Sequence, residues 1–166
     1  MSVEPWLRGT LTEVEPVRRA VLHALELAVE DVARWCEGLS DAEMFVRPVG
    51  LPSVAFQLRH IARSLDRLLT YAEARSLDEG QLAALKTEMD AGTAAEVMEE
   101  FRAGLELARG RVLAVDPETF VEPRGVGRKM LPTTVVGLLI HCAEHTQRHV
   151  GQMVTTVKVV KAAVGS

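Results

Sequence analysis

Three of the five histidines stand four residues apart in "LLIHCAEHTQRHVGQM", residues 138–153. On an α-helix, four steps advance the chain by one turn plus roughly 40°, so His141, His145 and His149 share one broad side. His145 and His149, one turn apart, suit two adjacent positions on a single metal ion. Leu138, Cys142 and Gln152 fall in the same sector. Histidines in apolar company point towards a bundle interior. The H-x-x-x-H spacing alone leaves two readings open, a pair of ligands or a pair of hydrogen-bonded histidines at a core edge. A metal site needs a third ligand from another element, because catalytic sites use at least three protein ligands.

Two histidines remain to supply it. His60, in "FQLRHIARSLDRLLTY", shares its helix sector with Phe56, Ser64, Arg67 and Tyr71. An apolar face interrupted by histidine, serine and arginine reads as the wall of a polar cleft. His23, in "VLHALEL", has no second polar group on its face and reads as a packed or surface histidine.

The elements that must carry these residues are helical. Apolar residues recur at helical spacing from Pro16 to Cys36, with Val17, Val21, Leu25, Ala28 and Val32 as the stripe. Proline suits a first helical turn, where its missing N–H costs nothing. A second segment follows Ser53, a cap by type, and runs to about Ala74. A connection then holds a short helix predicted over Asp78–Met89. The third segment opens at Thr93, which stands at capping-box spacing from Glu96, and ends near Val115. The Pro- and Gly-rich stretch "DPETFVEPRGVGRKMLPTT" is a loop or small hairpin. A fourth segment is predicted from Pro132 or Thr133 to about Val160. Four such segments with a long middle connection indicate an all-α chain folded as a four-helix bundle, with sites built from facing helices.

Length and composition fit one domain over residues 1–166, large enough for a sizeable core. The apolar fraction is 48%, the charged fraction 25% and the net charge −4 with signs intermixed. No basic footprint for nucleic acid is present, and no run approaches the roughly 18 apolar residues of a membrane span. Two cysteines, Cys36 and Cys142, cannot build a secreted disulfide framework. Without a signal-peptide layout at the N-terminus, the expectation is a cytoplasmic protein.

With His60 joined to "HTQRHVGQM", the chain resembles the DinB/YfiT-like family, whose pattern is a histidine on the second helix and H-x-x-x-H followed by x-G-Q on the fourth. Here these are His60, His145 and His149, then Val150, Gly151 and Gln152. "LRHIARSLDRLLTY" is also similar to the second helix of a bacterial branch. The resemblance covers nearly the whole chain. It implies a bundle of up-up-down-down connectivity, commonly a homodimer, in which His60, His145 and His149 bind a divalent ion, nickel or zinc. It also implies a small-molecule substrate, with thiol S-transfer using a low-molecular-weight thiol as the leading activity. Alternatives are a metal-dependent hydrolase and a non-catalytic binding protein on the same scaffold.

The chemistry agrees with that inventory. Three neutral imidazoles leave coordination positions open, as catalytic zinc sites do, although imidazole suits nickel, copper and iron as well. Around them, Arg67 is a candidate for holding a substrate anion, or else pairs with an acid. His141 is a candidate supporting donor or pocket wall, with packing as the plainer alternative. Gln152 could orient a histidine, and Gly151 could permit close helix approach. Trp6 could lid the cleft or join a dimer contact. Cys142 reads as a small buried hydrophobe, and Glu144 with Arg148 as an exposed i,i+4 salt bridge.

Overall fold

The computed structural model describes residues 3–164. Its helices are α1 (Pro16–Trp35), α2 (Asp41–Phe45), α3 (Val54–Ala72), α4 (Glu79–Ala84), α5 (Ala94–Ala114) and α6 (Val135–Val164). Two short strands, β1 (Pro123–Val126) and β2 (Leu131–Thr134), form an antiparallel hairpin between α5 and α6. Helix starts follow their capping chemistry. Pro16 opens α1, with the Glu15 carboxylate accepting from the Val17 and Arg18 amides. Ser53 Oγ accepts from the Phe56 amide at α3, and Thr93 with Glu96 closes a reciprocal capping box at α5.

The four long helices pack in a ring, α3 against α5 and α6, and α1 against the same two. Each contributes one stripe to the core. On α3 it includes Leu58, Ile61, Leu65 and Leu69; on α5 it is Val97, Phe101, Leu105, Ala108 and Val112; on α6 it includes Leu139, Cys142, Val150, Met153 and Val157. Gly104 lets α5 close on α3, since a Cβ there would sit 2.6 Å from the Ala62 Cβ.

Polar contacts between helices fix their directions. Arg18, early in α1, donates to the Leu113 and Val115 carbonyls at the end of α5. Gln147 and Lys161 on α6 donate to the Ala24 and Trp35 carbonyls in rising order along α1. On α3, Arg63 meets Glu100 and Thr70 meets Arg111, so α3 and α5 run the same way. His149 lies over Gln57 and Thr156 over Pro52, which sets α6 against α3. Along the chain the order is therefore up-down-down-up, in place of the expected up-up-down-down. Parallel α3 and α5 require a crossover, residues 73–93, that returns along the whole length of α3.

Three local expectations shift. The connection helix α4 ends at Ala84 rather than Met89. The residues from Leu131 to Thr134 pair with β1, so α6 starts after Pro132. Helix α2 was not expected, although Ser40 and Glu43 form a full capping box there. No helix among the described residues is long and apolar enough to cross a membrane.

Candidate metal centre

On α6 the buried residues Cys142, Thr146, Val150 and Met153 line the core. One position before each of them stands His141, His145, His149 or Gln152. That second stripe is rotated by about 100° and so runs along the edge of the core, beside α3. His60, nearly two turns into α3, meets its centre. The ring centroids of His60 and His145 are 5.0 Å apart, those of His60 and His149 4.5 Å, and those of His145 and His149 4.5 Å. A ligand nitrogen from each of the three lies within 4.8 Å of the others. Phe56 stacks on His60, with centroids 5.3 Å apart, and closes one side.

Two of the three rings are held from behind. His60 Nδ1 donates to Glu88 Oε2 at 2.8 Å, and His149 Nδ1 donates to Gln57 Oε1 at 2.5 Å. Each bond selects the tautomer with Nε2 unprotonated, the arrangement by which ligating histidines are oriented in metal sites; the Ser64 hydroxyl also lies 3.4 Å from His60 Nε2. Glu88 Oε1 also accepts from Arg67 Nη1 at 3.1 Å, and Arg67 Nη2 donates to Ser64 Oγ at 2.9 Å. Burial alone would raise the Glu88 carboxyl. The hydrogen bond and charge of His60, then Arg67, outweigh it and hold the group below the ordinary carboxylate range.

His145 and His149 are both pushed down to about 4. Burial is the largest cause, followed by the neighbouring imidazoles for His145 and by His60 and Arg148 for His149. They are therefore neutral near pH 7, the protonation state a metal requires. His145 Nδ1 is buried without a hydrogen-bond partner among the described residues, an orphan of the kind that buried polar atoms seldom are. Three imidazole nitrogens brought together from two elements, with a buried ring nitrogen on one of those imidazoles left unsatisfied, fit a divalent ion.

The other sequence candidates fall around the trio. Arg67, with 12% of its side chain exposed, is in the ion pair with Glu88, the pairing with an acid that its position left open. An incoming anion would have to compete with that carboxylate. His141 pairs with Glu144 at 3.0 Å, 41% exposed, with its ring 5.4 Å from that of His145. It flanks the trio on the side of His145 and forms its hydrogen bond with Glu144. Glu144 also meets Arg148 at 3.5 Å on the exposed face. Gln152 is exposed and orients no histidine. Gly151 faces open space, so it does not serve close helix approach, which falls to Gly104. Trp6 is 61% exposed beside α1, its Nε1 donating to Glu4. His23 is buried against Thr10, 3.2 Å away. Cys36 and Cys142 are buried and free.

Gln57 and Glu88 are the functional residues that sequence reasoning missed. Gln57 had a signal, a lone amide in the apolar run "VAFQLRH" one turn before His60. Glu88 had none, since only the course of the crossover brings it to α3.

Fold and trio together define a helical-bundle protein with a three-histidine cluster able to take a divalent ion. The family model of the DinB superfamily matches residues 24–153, a span that contains all three histidines, and the chain belongs to that superfamily. No curated protein matches it.

Proposed function

We propose that the protein is a divalent-metal-dependent thiol S-transferase of the cytoplasm, acting as a homodimer on a small electrophilic molecule. The observation that carries this reading is the convergence of three imidazoles of which two have their Nδ1 positions already bonded. His60, His145 and His149 are the ligands, with zinc or nickel the ions suited to such donors. A divalent ion held there supplies Lewis-acid charge that brings the pKa of a bound thiol or water towards neutrality. Glu88 and Gln57 hold two of the rings in place. His145 and His149 surrender no proton on binding near pH 7, being neutral already.

Transfer of a thiol is favoured over hydrolysis by the state of Glu88. Both of its oxygens are taken, by His60 and Arg67, so it does not stand ready as a general base for water. A thiol, far more acidic than water before any metal binds it, depends less on such a base. Buried, unpaired Cys36 and Cys142 accord with a reducing compartment.

The test is elemental analysis of protein purified without an affinity tag, followed by conjugation assays with several low-molecular-weight thiols. About one divalent ion per chain is expected, lost in His145→Ala with helical content retained. Unchanged metal stoichiometry in that variant would remove the ligand assignment. Metal-loaded protein inert towards every thiol, yet hydrolysing an ester or amide, would move the reading to a hydrolase. Protein inert in both assays would leave a binding scaffold.

A further inference from the structure

We propose that Glu88 is a positioning residue for the histidine trio, and that through it the crossover is part of the site. The inference rests on reading His60, His145 and His149 as metal ligands.

Glu88 is the only buried residue in the crossover, residues 73–93. Glutamate is among the last side chains expected in that place, since it is rarely buried unless paired. Three of the large apolar side chains of the same segment stay outside, Leu82 at 42% exposed, Leu85 at 43% and Met89 at 63%, and Leu77 is half-buried. The crossover therefore attaches to α3 by polar contacts. Gln81 donates to Asp66 and Thr70 at 2.7 and 2.9 Å, Arg63 donates to the Ala84 carbonyl at 2.7 Å, and Arg59 donates to the Asp90 carbonyl. A segment with little buried apolar surface opens at low cost. Its one deep anchor is a carboxylate bonded to a histidine of the cluster.

The bond has a direction and a charge. Accepting from Nδ1 fixes His60 in the tautomer with Nε2 unprotonated, and a carboxylate makes that imidazole a stronger donor than a neutral acceptor would. Gln57 does the first of these for His149, without the charge. Binding linkage is reciprocal. If a docked Glu88 strengthens metal binding by some factor, a bound metal strengthens docking of the crossover by the same factor.

The experiment uses zinc. Affinity is read by competition with a chromophoric chelator for the wild-type chain, Glu88→Gln and Glu88→Ala. The rate of tryptic cleavage at exposed Lys86 is read with and without zinc. Glu88→Ala is expected to bind zinc about 10- to 100-fold more weakly. Glu88→Gln, whose amide oxygen still accepts from Nδ1, should lose less. Zinc should slow cleavage at Lys86 in the wild type and hardly at all in Glu88→Ala. If Glu88→Ala fails to fold, Glu88→Gln decides, together with the nitrogen chemical shifts of His60 in metal-free protein, which report its tautomer directly.

A purely structural clamp would change the cleavage rate and leave zinc affinity alone. Affinity within about twofold of wild type in the folded Glu88 variants therefore overturns the proposal. His145→Ala separates the two levels. Loss of zinc there with unaffected Glu88 variants removes only this inference, whereas zinc binding that ignores His145 removes the metal reading and this inference with it.

Discussion

Gln57 Oε1 and His149 Nδ1 meet at 2.5 Å across the seam where α3 and α6 run antiparallel. Gln57 is fully buried, and its Nε2 has no hydrogen-bond partner among the described residues. One half of the amide orients a histidine while the other half bears the cost of an unpaired buried donor. Gln57→Leu should separate these effects. The leucine removes the orphan donor and fills similar volume, so the melting temperature should hold or rise. His149 loses its orienting acceptor, so zinc affinity should fall by about tenfold or more. Calorimetry and chelator competition on one preparation check both, and a variant that loses stability but keeps its affinity would contradict the assigned role.

A second relationship ties the far end of α3 to α5. Glu73 accepts from Arg111 at 2.7 Å and from Arg75. Burial pushes the Glu73 carboxyl up, but the two guanidinium groups outweigh it and leave the group below its ordinary value of 4.5. A carboxyl lowered by folding contributes stability above its unfolded pKa and loses it as pH falls through the folded one. With about a third of the side chain exposed, the contribution is no more than about 1 kcal/mol. Glu73→Gln should therefore be slightly less stable at pH 7. The gap to wild type should close as pH falls from about 5 to below the folded pKa, in denaturant titrations across that range.

Two histidines at i,i+4 beside a core stripe, and a third on a polar-interrupted face of α3, were legible because helical period alone sets which residues share a side. What period cannot convey is where a connection travels. Glu88 reaches His60 only because parallel α3 and α5 force residues 73–93 back along α3. The same fact changes the expected helix directions: the long middle connection was legible in the sequence, but not that it returns along α3 and leaves α3 and α5 parallel. Helix α2 was within reach, since Ser40 and Glu43 carry the same capping signal that identified Thr93 and Glu96. The start of α6 was not, because strand pairing of Pro132 with Gly125 is a tertiary fact.

Gly104 and Gly151 offer a matched pair. A Cβ at Gly104 would stand 2.6 Å from the Ala62 Cβ and 3.2 Å from its Cα, whereas at Gly151 it would meet nothing within 4 Å. Gly151→Ala should gain up to about 1 kcal/mol from helix propensity. Gly104→Ala should lose about 1–3 kcal/mol by overpacking, less whatever propensity returns. Opposite shifts in denaturation midpoint are expected. Destabilisation at position 151 would point to a surface contact there.

The thiols of the chain itself are the remaining test. Burial pushes Cys142 up to about 12 and Cys36 up to about 11, and both are held within the core, at 0% and 7% exposed. A nucleophilic cysteine works as the thiolate, with a lowered pKa and some exposure; these two have neither. At pH 7–8 native protein should take up almost no iodoacetamide, while unfolded protein should take up two equivalents, as read by intact mass. Cys142→Ala should leave thiol transfer unchanged except through stability. Rapid native alkylation of Cys142 that abolished the activity would place the nucleophile in the protein rather than in an added low-molecular-weight thiol.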